Sequence, residues 1–191
     1  MREACGMKEK KSKNESWEWI KALLIAFGLA ALIRVFLFTP IVVDGISMMP
    51  TLEDGDRMIV NKIGYTIGEP DRFDIVVFHA PEQKDYIKRI IGLPGDTVEY
   101  RDDILYINGE PLEEPYLNQY KEAVADSPFT EDFTLEGKLN SEVVPKNHVF
   151  VLGDNRRKSK DSRHIGVVPI DEIIGNTKIV FWPLNDFGFV E

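Results

Sequence analysis

A single cysteine, Cys5, in a chain of 191 residues excludes an intrachain disulfide and the paired-cysteine spacing of a structural zinc site. Histidine is almost as scarce. His79, His148 and His164 are the only three, and the chain has no G-x-S-x-G elbow, so a Ser–His hydrolase is disfavoured. No metal-ligand spacing occurs, and no cofactor is implied. Positive charge is in deficit, with a net charge of −9, which argues against nucleic acid as the main partner. Long amphipathic helices, internal repeats and low-complexity tracts are missing too. What remains is 43% hydrophobic and 29% charged residues, enough for one domain with a real core and too apolar for wholesale disorder.

The charge is unevenly spread. Residues 1–38 hold 7 Lys/Arg against 4 Asp/Glu, and the rest hold 16 against 28. A basic head of net +3 therefore precedes an acidic body of net −12. Between them Ala22–Phe38 reads ALLIAFGLAALIRVFLF, seventeen residues that span about 26 Å as a helix, close to a hydrocarbon core of about 30 Å. Arg34 lies near its end, where a long side chain can snorkel, and Trp17 and Trp19 stand at the other interface. No small-x-small exit follows, so the run reads as a retained anchor rather than a cleaved leader. The expected organisation is a cytoplasmic basic tail over 1–21, a transmembrane anchor over 22–38 and an extracytoplasmic body over 39–191. Met1 and Met7 are both candidate starts.

Beyond Pro40 the period changes to that of strands. RMIVNKI, FDIVVFHA, YIKRIIGL, DTVEY, ILYINGEPL, HVFVLG and TKIVFWPL are short β-branched or aromatic runs bounded by turn residues. Asn108-Gly109 signals a two-residue hairpin. Asn118–Lys138 is polar and reads as a loop or part of a small insertion around 101–139. The expected fold is mainly β, an antiparallel sheet body on a single N-terminal transmembrane helix.

Three stretches carry residues suited to chemistry. GISMMPTL places Ser47 just after the apolar run. YIKRIIGLPGD puts Lys88 in a strand otherwise fit for a core, on the face of Tyr86 and Ile90. GDNRRKSKDSRHIG sets Asp161 two residues from Arg163, as an ion pair would, and adds the hydroxyls of Ser159 and Ser162. Each has a bland reading: a turn serine, a snorkelling lysine, a solvated loop. Their order after one anchor resembles the type I signal peptidase family, in the short single-anchor form of Gram-positive bacteria.

The resemblance implies a membrane-bound serine endopeptidase that removes signal peptides from exported preproteins with A-x-A-like cleavage sites. Ser47 would be the nucleophile and Lys88 the general base. Ser159 would hydrogen-bond the lysine amine, while Asp161 and Arg163 hold the loop. The substrate would lie as an extended strand along Val42, Val43, Asp44, Gly45, Ile46 and Met48 on one side and Asp85, Tyr86 and Ile87 on the other. The Ser47 N–H would meet the oxyanion. Position 45, where some relatives have a hydroxyl, is glycine, which leaves the second donor to backbone or water. Lys158 replaces an asparagine common in the family, and with Arg157 and Lys160 makes the loop basic; a cation there would either help depress the Lys88 pKa or, as is favoured, face solvent. Met48 and Met49 suit a surface that meets lipid and an apolar substrate, or else fill core. The chemistry is sound on general grounds: about one lysine in 2,500 is neutral at pH 7, and apolar surroundings raise that fraction. A self-cleaving repressor of the LexA type shares Ser–Lys chemistry but would carry a DNA-binding module where this chain has an apolar run. An anchored binding protein without catalysis is the remaining rival class.

Overall fold

The computed structural model describes residues 15–62, 68–123 and 128–190. Cys5, Met7 and most of the expected basic tail lie outside them, as does the end of the RMIVNKI run. Two compact units divide at Phe36 and Leu37.

The first unit is helix α1, Glu15–Phe36. Alanine and leucine dominate it, both strong helix formers, and no proline interrupts it before Pro40. It therefore begins seven residues before the expected anchor and ends two before it. Phe38, placed in the anchor from sequence, instead opens a strand. The side chains of Trp17, Trp19, Leu23, Leu24, Ile25, Phe27 and Leu29 are exposed. Among the described residues no helix is long and apolar enough to cross a membrane.

The second unit is built from two antiparallel sheets. β1 (Phe38–Val42), β2 (Arg57–Asn61), β3 (Ile75–Ala80), β4 (Lys84–Gly92), β9 (His148–Leu152), β10 (Val168–Pro169) and β11 (Ile173–Trp182) form the larger, in the order β1-β2-β11-β3-β4-β9-β10. β12 (Gly188–Phe189) pairs with the end of β11 at Ile179 and Val180, along the stretch that β3 does not reach. The smaller sheet has the order β7-β6-β5-β8, from β5 (Val98–Arg101), β6 (Ile104–Ile107), β7 (Glu110–Leu112) and β8 (Phe133–Thr134). Pro40 is tolerated in β1 because that strand is an edge, where a missing donor costs little. Asn108 and Gly109 join β6 to β7 with φ of 55° and 82°, both left-handed as the tight hairpin requires. The stretch read as loop carries a short helix, Asn118–Ala123, then β8 and a second short helix, Leu135–Leu139, capped by the Thr134 hydroxyl.

Three apolar clusters fill the body. Val76, Phe78, Ile90, Val149 and Val151 pack over the middle of the large sheet. Ile91, Val98, Tyr100, Leu105, Phe133, Phe150 and Leu152 join the two sheets. Val43, Met48, Leu52, Met58, Ile75 and Val180 form the third, directly under the segment that carries Ser47. Met48 is thus core, with 1% of its surface exposed. This cluster fixes where the Ser47 turn sits.

Candidate active site

Ser47 lies in the turn that follows β1, held from both ends. Val43 N donates to Asp56 O at 2.8 Å, Gly55 N to Val43 O at 2.9 Å and Leu52 N to Met48 O at 3.0 Å. Gly45 has φ of 99°, a left-handed conformation that a side chain would strain; its N–H donates to Asp54 at 2.7 Å. From the opposite wall Asn155 N donates to Ser47 O at 3.1 Å and Asn155 Nδ2 to Ile46 O at 3.0 Å.

Lys88 comes from β4, paired with Val76 of β3. Only 3% of it is exposed. Its Nζ is 2.8 Å from Ser47 Oγ and 2.8 Å from Ile87 O, and it lies 5.0 Å from the centre of the Tyr86 ring. Burial pushes the Lys88 ammonium down to a pKa of about 8, against the opposing pull of the Asp161 and Asp154 carboxylates. A buried amine in hydrogen-bond contact with a hydroxyl can serve as a base near neutral pH.

A cleft of about 530 Å³ opens over this pair. Val42, Val43, Asp44, Gly45, Ile46 and Met48 line one wall, and Asp85, Tyr86 and Ile87 the other, with Lys158 and Lys160 at the rim. All the residues proposed from sequence to touch substrate therefore border one space together with Ser47 and Lys88. Lys160 reaches across to Glu82, which also accepts from Tyr86 Oη at 2.6 Å.

The third motif stands behind the pair. Arg163 Nε and Nη2 donate to the two Asp161 oxygens at 2.9 and 2.8 Å. Arg163 also donates to Arg156 O at 2.8 Å, and Gly153 N donates to Asp161 at 3.1 Å. Burial alone would raise the Asp161 pKa, yet Arg163 and the Gly153 N–H hold it below the ordinary carboxylate value. Ser159 does not bond to the Lys88 amine, contrary to the role expected for it. Its hydroxyl is buried and lies near enough to Asp161 to lower that pKa a little, but outside hydrogen-bond geometry, so it has no partner. A Cβ on Gly153 would collide with Ser159 Oγ and with Ser47 O, which shows how closely the loop meets the nucleophile.

Two buried ion pairs complete the site, neither assigned from sequence. Arg89 follows Lys88 and points to the other face of β4. It and Asp154 are fully buried; Arg89 Nε and Nη2 donate to Asp154 at 3.0 and 2.8 Å, and Thr51 Oγ1 donates to the same carboxylate at 2.5 Å. Arg156 Nη2 donates to Glu114 at 2.5 Å, and its Nη1 meets Tyr100 Oη. Through Arg156 the motif is fastened to the smaller sheet. The readable signal was a charge inside an apolar run, as in IKRII and VFVLGD, since a buried charge demands a partner.

His79, His148 and His164 lie apart from the Ser47–Lys88 contact: His79 pairs with Asp85 at 2.8 Å, His148 meets Lys146 O, and His164 is 3.9 Å from Asp161.

A family model described as signal peptidase, peptidase S26, matches residues 16–182. Signal peptidase I of Bacillus caldolyticus is 48% identical over 182 residues, covering 95% of this chain and 98% of that protein. Signal peptidase IB of Staphylococcus aureus (strain MRSA252) is 43% identical over 181 residues, covering 93% and 95%. A crystal structure of a signal peptidase I from Enterococcus faecalis V583 superimposes with a TM-score of 0.55 at 49% identity, covering 58% of this chain and 97% of that one.

Proposed function

Because the chain belongs to the peptidase S26 family of signal peptidases, serine endopeptidases that act on the signal peptides of preproteins, we propose that Ser47 and Lys88 are its catalytic pair. The observation that carries this is the buried Lys88 amine 2.8 Å from Ser47 Oγ. Charged Lys88 donates along that contact. Once neutral, it accepts there instead, and takes the Ser47 proton as Oγ attacks the scissile carbonyl carbon. The Ser47 N–H faces the developing oxyanion. The intermediate collapses with the C–N bond breaking, and the Lys88 ammonium gives its proton to the departing amine of the mature protein. Lys88 then deprotonates a water that hydrolyses the ester and frees the signal peptide. The Lys88 amine is instead steadied by the Ile87 carbonyl at 2.8 Å, while the Ser159 hydroxyl, close to the Ser47 turn, keeps no partner of its own. Asp161, Arg163 and Gly153 hold the loop that carries Ser159.

The substrate strand runs between Val42–Ile46 and Asp85–Ile87, where Val42, Val43, Ile46 and Ile87 make shallow apolar walls that select small residues such as those of A-x-A sites. The body works at a membrane surface on the extracytoplasmic side, with the apolar run Ala22–Phe38 as its attachment, helical as far as Phe36. Charge asymmetry supports this orientation. A set of exposed apolar residues on the body supports contact with that surface. Val42, Arg57 and Trp182 stand side by side in register across β1, β2 and β11, and Leu184, Phe187 and Phe189 follow at the β11–β12 turn, all four of these apolar side chains beyond Val42 open to solvent.

Ser47→Ala and Lys88→Ala should each abolish cleavage of a signal-peptide-bearing precursor in detergent, with circular dichroism unchanged. Replacing His79, His148 and His164 together should leave cleavage largely in place. A folded but inactive histidine-free protein would overturn the assignment.

A further inference from the structure

The cleft over Ser47 and Lys88 is electrically lopsided. Asp44 precedes Ser47 by three residues, and Asp85 precedes Lys88 by three. β1 and β4 run in the same direction, because three strands lie between them and every pairing is antiparallel. Both carboxylates line the cleft, Asp44 just past the end of β1 and Asp85 inside β4, where it also meets His79 at 2.8 Å. The remaining charges at the rim are Lys158 and Lys160. Lys160 is already paired with Glu82. The Lys158 side chain is exposed and makes no hydrogen bond or ion pair among the described residues. Its position is nevertheless fixed. Lys158 N donates to Asn155 O at 3.0 Å, and Asn155 in turn grips the Ser47 and Ile46 carbonyls. An unpaired cation is thus mounted on a short turn at the Ser47 end of the cleft.

We infer that Lys158 is a specificity-determining residue, receiving an acidic side chain of the preprotein just past the scissile bond, on the mature-protein side. The inference rests on the catalytic reading above, which lays the signal-peptide side along Val42–Ile46 and Asp85–Ile87. An acidic residue there meets Asp44 and Asp85 and is repelled. Past the pair it meets Lys158. The Lys88 amine contacts Ser47 Oγ and Ile87 O and the Lys158 side chain is exposed, so Lys158 serves binding rather than the proton transfer. An exposed ion pair of this kind changes relative affinity by about two- to fivefold, and salt weakens it.

The test uses the full-length protein in neutral detergent with matched precursors that carry Asp, Ala or Lys at the first or second mature position. The parent should favour Asp over Lys by about two- to fivefold in kcat/KM, mostly through KM, and high salt should shrink the ratio. Lys158→Ala should bring the ratio close to unity, and Lys158→Glu should invert it. Each ratio is internal to one enzyme, so a general loss of activity cancels. An unchanged ratio in Lys158→Glu overturns the inference, as does a preference that arises only when anionic lipid is added to the micelles. Ser47→Ala is the control that separates the two readings. If it still cleaves, the catalytic assignment fails; if it is inactive while the ratio ignores Lys158, only this inference fails.

Discussion

The Lys88 side chain shows the cost of burying a cation. Its pKa falls from the ordinary 10.5 to about 8 because the amine is buried, a shift that corresponds to roughly 3 kcal/mol of disfavoured ammonium. Between pH 8 and 10.5 the unfolded chain binds a proton that the folded one has released, so stability rises with pH across that window. Below pH 8 the full penalty is present. Lys88→Met should therefore be inactive yet more stable than the parent by about 1–3 kcal/mol at pH 7, with the difference shrinking toward pH 10 in denaturant titrations. For the active protein, kcat/KM should rise with a single ionisation near pH 8. Lys158→Asn should move that limb by less than about half a unit, since the side chain is exposed and screened. An acid limb near the free-lysine value in the parent would remove Lys88 as the base.

At the scale of elements, the loop 153–163 is a small rigid piece fastened at both ends. Arg163 and Asp161 close it locally, and Arg156 ties it to Glu114 on the smaller sheet's side of the core. Glu114 is 3% exposed. Burial raises its pKa, but the charge and hydrogen bonds of Arg156, with help from Tyr100 and Lys121, outweigh this and lower it to about 2. The carboxylate thus stabilises the fold above the ordinary 4.5, and that contribution is lost as pH falls toward 2. Glu114→Gln strands a buried guanidinium and should cost about 3–5 kcal/mol at pH 7. Its acid unfolding curve should be flatter than the parent's between pH 4.5 and 2. Wild-type stability at neutral pH in this variant would show that the pair does not carry the load assigned here. The strands themselves are legible from β-branched runs and turn residues, and the Asn108-Gly109 hairpin most clearly of all. β1 is not legible, because Phe38 continues an apolar run and Pro40 argues against a strand unless that strand is an edge. β8, β10 and β12 are two residues each, too short for any period to show. Ser47 and Lys88 are legible through the order of three motifs. Arg89–Asp154 is not, since two charges 65 positions apart become partners only when β4 and β9 pair.

The whole molecule is a basic, apolar head and an acidic β body, and that division is legible from charge and hydropathy alone. It leads to a prediction about sidedness. Protease added outside intact protoplasts should degrade the body and spare about the first twenty residues, as followed with antibodies to each end. Protection of the body would reverse the proposed orientation. The sheet order has a further consequence, for timing. The strands that bring Ser47 (β1 and β2) and Lys88 (β3 and β4) are not neighbours in the large sheet; β11 lies between them, bonded to β2 on one edge and β3 on the other. Residues 173–182 are encoded after every other piece of the site. A chain that ends before β11 holds Ser47 and Lys88 on strand pairs not yet bridged within the sheet, linked only by contacts such as Asn155 with Ser47 and Thr51 and Arg89 with Asp154. Cleavage is therefore expected only from chains that extend through Trp182, and a chain ending before Ile173 that still cut a precursor would show the late strand to be dispensable.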